Sequence, residues 1–140
     1  MLIPRRYYAK LSNNKHKIDD LQTHPWFITG FTDGEGCFSC SVLKSSSYKF
    51  GWEVQPVFQI KLHRDYPILL RIQHSLGGIG TVSSNQSSCA FRVKKLSELI
   101  ELMIFFDKYP LISWKRGDYL NKFYYSIERT FDFTRFTKDY

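Results

Sequence analysis

Two carboxylates lie two residues apart in the segment Trp26 to Gly36, which reads W-F-I-T-G-F-T-D-G-E-G. Helical periodicity over this stretch puts Asp33 and Glu35 in the C-terminal turn, where the macrodipole already gathers partial negative charge. A cation relieves that crowding. A glutamate at a helix tip beside unpaired carbonyls offers oxygen ligands. These suit a hard ion such as Mg²⁺, which keeps several waters and binds one or two carboxylates plus phosphate. Gly36 is expected in the left-handed conformation that ends many helices. The competing reading of the same residues is an ordinary amphipathic helix closed by a D-G turn.

Within that helix Gly30 and Gly34 fall one turn apart on one face, with Phe27, Ile28 and Phe31 on the adjoining face. Glycine weakens a helix by about 1 kcal/mol relative to alanine, so a pair of them needs a local reason. Removing side chains lets a second helix backbone approach closely. The phenylalanine face is then expected to enter the core.

The remaining elements position this helix. Pro25 fits the first helical turn, with His24 or Thr23 as cap. Cys37 to Leu43 alternates as a half-buried strand, with Phe38, Cys40 and Val42 on one side. Trp52 to His63 alternates likewise, with Trp52, Val54, Pro56, Phe58, Ile60 and Leu62 expected on the core face. The opposite face carries Glu53, Gln55, Val57, Gln59, Lys61 and His63, side chains of the kind that read base edges or hold phosphates. Simple solvent exposure explains the same pattern. Pro56 cannot donate to a ladder, which implies an edge or a bulge there.

Asp65 to Leu76 reads as a helix capped by Asp65 and ended by Gly77, Gly78 and Gly80. Two short strands follow, about 80–84 and 89–94, joined by a hairpin turn. They put Val82, Phe91 and Val93 inward and Thr81, Ser83, Ala90 and Arg92 on the polar face. Ser97 to Tyr109 is a helix stopped by Pro110, and a last helix runs from near Ser113 to about Ile127. The expected class is therefore α+β, in the order αββαββα(α), with a curved antiparallel four-stranded sheet and helices on one face.

Composition narrows the partner. The 140 residues carry 20 Lys and Arg against 13 Asp and Glu, a formal charge of +7 with a pI near 9.4. That balance points to a polyanion, unless the basic surface serves solubility alone. At 17% aromatic and 43% apolar the chain is no disordered basic tail. Three cysteines and no secretory signal argue against a disulfide framework. Cys37 and Cys40 spell C-x-x-C, but on a strand they face opposite ways, which disfavours zinc. No apolar run approaches the ~20 residues of a membrane span, so a membrane partner is not expected. Residues 1–22 form a basic arm, expected to be flexible, a translated remnant, or an organelle-targeting sequence. The domain is expected over 23–127, followed by a tail over 128–140 that either packs or frays.

Ile28 to Gly36 (I-T-G-F-T-D-G-E-G) resembles the motif of the LAGLIDADG homing endonucleases. Ile28 and Thr29 stand for leucine and alanine, and Glu35 stands for the second aspartate, a swap the family accepts. Further along, V-F-Q-I-K-L (Val57 to Leu62) is similar to the family's second strand, and Y-P-L-I-S-W-K-R (Tyr109 to Arg116) to the segment that brings a lysine to the catalytic centre. The resemblance extends over about Pro25 to Lys122.

The resemblance implies a site-specific endonuclease that hydrolyses double-stranded DNA with Mg²⁺ or another divalent cation such as Mn²⁺, in an organelle, the mitochondrion above all. Glu35 and the carbonyl of Gly34 would bind metal. Gln59 would orient water, and Lys115 would stabilise charge on the phosphate. Base and phosphate contacts would come from Ser39, Ser41, Lys44, Gln55, Gln59, Lys61, His63, Thr81, Ser83 and Arg92. With one motif, a second must come from a homodimer through Gly30 and Gly34 or from a second LAGLIDADG half. The alternatives are a non-cleaving binder, such as a group I intron maturase acting on intron RNA, and a basic scaffold.

Overall fold

The computed structural model describes residues 22–47 and 51–127. The tail 128–140 and, apart from Gln22, the arm 1–22 lie outside the described residues. Helix α1 (Pro25–Glu35) leads directly into strand β1 (Gly36–Lys44), which pairs antiparallel with β2 (Trp52–Leu62). Helix α2 (Tyr66–Ser75), the hairpin β3 (Thr81–Ser84) and β4 (Cys89–Val93), and helix α3 (Leu96–Lys108) follow. The last helix, α4 (Lys115–Asp118), widens into a π-helical turn over Tyr119–Tyr124. The strand order is β1-β2-β4-β3, all antiparallel. The element order matches the sequence expectation.

Local chemistry sets most boundaries. His24 caps α1 by accepting the Trp26 N–H on Nδ1 at 3.3 Å, and Pro25 occupies the first turn. Asp65 holds the cap position of α2 but makes no side-chain cap bond, contrary to its expected role. In α3, Glu98 lies in the first turn and Lys108 in the last, both complementing the helix dipole. Gly77, Gly78 and Gly80 all take positive φ and turn the chain from α2 into β3.

The core fills the space between one face of the sheet and the helices, and its centre is aromatic. Phe38 touches Phe58, Phe106, Tyr119 and Phe123 with ring centroids 5.1 to 5.8 Å apart, in edge-on and tilted geometries that aromatic pairs favour. Ile60, Leu69, Ile72, Leu99 and Leu102 complete it, each almost fully buried. Burying a side chain of this size contributes about 1.5–3 kcal/mol. Because Phe38 lies two residues past Gly36, this cluster anchors the point where α1 becomes β1. The buried Tyr119 hydroxyl donates to the Met103 carbonyl at 3.3 Å. Burial first, then the neighbouring charge of Asp107, keeps that phenol protonated well above its ordinary range.

The core face of the long hairpin outruns the helices, which corrects the expected core. Pro56, Phe58 and Ile60 are buried, whereas Trp52, Val54 and Val42 are exposed. Pro56 pairs with Cys40 of β1, but pairing with β4 begins only at Phe58. The strand is therefore an edge at the proline, one of the expected alternatives.

Candidate active site

Helix α1 divides its surface differently from the expected split. Ile28, Thr29 and Thr32 are buried, while Phe27, Gly30, Phe31 and Gly34 share one stripe at the spacing i, i+3, i+4, i+7. Phe27 is 49% exposed and stacks on the half-buried Phe31 at 5.7 Å. The two rings thus line the glycine stripe, and only Phe31 touches the core. A Cβ built on Gly30 or Gly34 meets nothing within 4 Å, so among the described residues the stripe is open ground.

Gly36 is not left-handed, contrary to expectation. Its φ of −74° and ψ of 155° are extended, and it starts β1. Glycine is needed there for space, since a Cβ would lie 2.6 Å from Thr32 Cγ2 and 2.7 Å from the Thr32 carbonyl. The consequence for chemistry is that α1 runs straight into the sheet, with Glu35 at the junction. Glu35 is exposed and makes no side-chain hydrogen bond or ion pair with the described residues.

The cation that the crowded turn calls for is Lys115. Although charged, it is only 9% exposed. Its Nζ donates to the Gly34 carbonyl at 2.9 Å and to the Thr32 carbonyl at 3.4 Å. Two of its three N–H donors are thereby used, and the ammonium also lies 5.8 Å from the centre of the Trp114 ring. Asp33 turns away from Glu35 and accepts hydrogen bonds from the Ile112 and Ser113 amides at 3.1 Å each and from the Ser113 hydroxyl at 2.6 Å. Partial burial pushes the Asp33 carboxyl up. The Ser113 hydroxyl, the two amides and the charge of Lys115 outweigh that and hold it below the usual carboxylate value. Sequence reasoning offers Asp33 no partner, because nothing local marks a contact 80 residues away.

The sheet face turned away from the helices carries most of the expected contact residues. Across it, Cys37 pairs with Gln59, Gln59 with Arg92, and Arg92 with Thr81. Arg92 Nε donates to Gln59 Oε1 at 2.8 Å, which fixes both side chains. Lys61 and Ser83 share the next row through Ala90, and Ser39, Ser41 and Gln55 occupy the outer half of the hairpin. His63 follows the end of β2, its Nδ1 2.9 Å from the Ser87 carbonyl. Lys44 departs from this set. Strand alternation puts it on the helix side of the sheet with its register partner Trp52, whose ring its Nζ overlies at 5.5 Å. Cys37 and Cys40 face opposite sides of β1, and Cys40 bonds instead to the last helix at Lys122 and Ser126.

Among the described residues no cluster of three or more His, Cys, Asp or Glu could hold a metal alone. The donors at the α1 tip are the free Glu35 carboxylate and the remaining lone pair of the Gly34 carbonyl. They fit a hard divalent ion completed by phosphate oxygens, water and a second carboxylate from outside this chain.

A family model described as LAGLIDADG endonuclease matches residues 28–125. The chain is 46% identical over 130 residues to a probable intron-encoded endonuclease 2 of Neurospora crassa, covering 84% of this chain and 28% of that protein. It is 40% identical over 100 residues to an uncharacterized 50.9 kDa protein in ND4 intron 1 of Podospora anserina, covering 69% and 22%. The fold matches the LAGLIDADG homing endonuclease I-SmaMI, solved on an uncleaved DNA target in the presence of calcium ions. That match has a TM-score of 0.66 and 37% identity, over 71% of this chain and 35% of that one. The chain thus spans about a fifth to a third of the length of the relatives it matches.

Proposed function

This chain belongs to the LAGLIDADG endonuclease family, and we propose that it acts as one half of a site-specific endonuclease that hydrolyses both strands of a DNA duplex. One observation carries the reading. A free carboxylate, Glu35, stands at the tip of α1 where the helix meets the polar sheet face, next to a peptide whose carbonyl holds the Lys115 ammonium. A bare carboxylate repels a polyanion and so does not help binding, whereas holding a divalent cation requires one.

The duplex lies on the open sheet face. Lys61 and Arg92 neutralise phosphates, which provides the salt-dependent part of affinity. Ser39, Ser41, Gln55, Thr81 and Ser83 reach base edges or the backbone from the same surface. The bond from Arg92 orients the Gln59 amide, which positions water near the scissile phosphate. Lys115, through its remaining donor, stabilises charge developing on that phosphate.

Glu35 and the Gly34 carbonyl would hold a divalent cation, Mg²⁺ or Mn²⁺. Such an ion polarises phosphoryl oxygens and lowers the pKa of water. The calcium-containing DNA complex of I-SmaMI supports a divalent cation. One Glu35 serves one strand, so a second unit is required. The exposed stripe of Phe27, Gly30, Phe31 and Gly34 is the surface that takes it, whether a second copy of this chain or a second LAGLIDADG half. Relatives named for ND4 and Cox1 introns support a mitochondrial setting.

Supercoiled DNA carrying candidate intron-insertion sites, incubated with and without Mg²⁺, tests the reading. Wild type should yield linear product only with metal. Glu35→Gln should bind equally but cut at least ~10²-fold more slowly, the loss typical of removing a main electrostatic contributor. Equal cutting by both would move the catalytic acid elsewhere. Equal binding with no cutting by either would make the chain a nucleic-acid binder, with intron RNA the next ligand to try.

A further inference from the structure

The geometry points to Asp33 as the positioning residue for Lys115: we propose that its carboxylate sets where the Lys115 ammonium stands at the tip of α1. The use made of that ammonium rests on the endonuclease reading, while its placement does not.

The contacts form a closed loop of chain. Asp33 Oδ2 accepts the Ile112 amide and Oδ1 accepts the Ser113 amide and hydroxyl. The Ser113 Oγ in turn accepts the Lys115 amide at 3.2 Å. From there the Lys115 side chain returns to the same turn of α1 and ends on the carbonyls of Gly34 and Thr32. The other end of the segment is tied down as well. Thr29 Oγ1 donates to the Tyr109 carbonyl at 2.9 Å, and Trp26 meets the Tyr109 ring edge-on at 5.3 Å. The stretch Tyr109–Lys115 therefore runs along α1 from its first turn to its last, with backbone fixed at both ends.

A lysine reaches its target through a flexible four-carbon stem. Its place is reproducible only if the backbone beneath it is fixed. Nothing else described on α1 holds that backbone at residues 112 and 113. Leu111 before them is buried in the core and the Trp114 ring lies 5.8 Å from the Lys115 Nζ, but Ile112 and Trp114 are themselves largely exposed and do not fix the backbone at 112 and 113. The carboxylate is also chemically specific. Three donors converge on its two oxygens, whereas asparagine would present one oxygen and turn an N–H₂ group toward at least one of those donors.

Two measurements on the full chain test this. The first is acetylation of Lys115 by an amine-reactive acetyl ester, followed by mass spectrometry. Wild type should react slowly, Asp33→Asn several-fold faster, and Ser113→Ala in between, with thermal unfolding confirming that each variant is folded. Unchanged Lys115 reactivity in folded Asp33→Asn overturns the proposal. The second is single-turnover cleavage in a double-mutant cycle. Asp33→Asn should lose about 10-fold in rate with DNA affinity retained, within the ~10²-fold that a misplaced group can cost. In a Lys115→Met background it should lose no more than about twofold further, because both changes then remove one function. Multiplying losses would mean that Asp33 supports the fold and not the lysine. If wild type cuts nothing yet Asp33→Asn still unmasks Lys115, the positioning stands and the endonuclease reading falls.

Discussion

The glycine stripe allows one substitution to be predicted with opposite signs in two assays. Gly30 lies mid-helix with open space beyond its Cα. Alanine there meets no atom of the described residues within 4 Å and gains the helix propensity that glycine lacks, about 0.8–1 kcal/mol. At concentrations where the chain is monomeric, Gly30→Ala should therefore raise the unfolding midpoint by roughly 3–8 °C for a domain of this size. In the proposed two-unit assembly the added methyl stands where the second helix approaches. Overpacking of about 1–3 kcal/mol at such a contact weakens association by roughly 5- to 150-fold. Sedimentation equilibrium reads the second effect and thermal unfolding the first. Gly36→Ala is the control of opposite character. Its new Cβ would lie 2.7 Å from a backbone oxygen that has no freedom to move, so it should lower the midpoint. A fall in monomer stability for Gly30→Ala would refute the open-stripe geometry. A rise with unchanged association, or a wild type that stays monomeric even on DNA, would remove the stripe as the surface joining two copies.

Two further outcomes follow from charges. For Lys61→Ala and Arg92→Ala, log affinity for DNA plotted against log salt should flatten by roughly 0.9 for each phosphate no longer neutralised, and unchanged slopes for both would take the duplex off the sheet. Asp33 has a folded pKa below its ordinary value, so its stabilisation is present above about pH 4 and is lost as pH falls through the folded value. The difference in unfolding midpoint between wild type and Asp33→Asn should accordingly shrink below that pH, and a difference constant from about pH 2 to 6 would assign the effect to something other than ionisation.

The fold is legible because alternation and helical spacing are local signals. Phe38, Phe58 and Ile60 announce a core face by period two, and the same count puts Gln59, Lys61 and Arg92 on the other side. Alternation tells which side a residue faces, not whether anything covers it. It therefore assigns Val42, Val54 and Trp52 to a core that the helices do not reach, and Lys44, expected among the DNA contacts, stands on a side that its parity takes away from them. Gly36 misleads for a related reason. A glycine after a helix has two uses, positive φ and close approach, and only the position of Thr32 decides between them.

The site itself shows how one helix can carry three tasks within a single short segment. Ile28 and Thr32 are buried beneath α1, and the stripe of Phe27, Gly30, Phe31 and Gly34 is the side proposed for a second unit. The third side binds chain: Trp26, Thr29 and Asp33 hold the segment that delivers Lys115. The dipole at that end is met by the Lys115 ammonium, while the Glu35 side chain makes no bond among the described residues. Two acids at one helix end thus separate by partner. The one with donors from its own chain holds the segment that carries Lys115, and the one without is exposed and unpartnered among the described residues. The sequence displays both acids equally, and the distinction between them arises only from a contact that closes across 80 residues of chain.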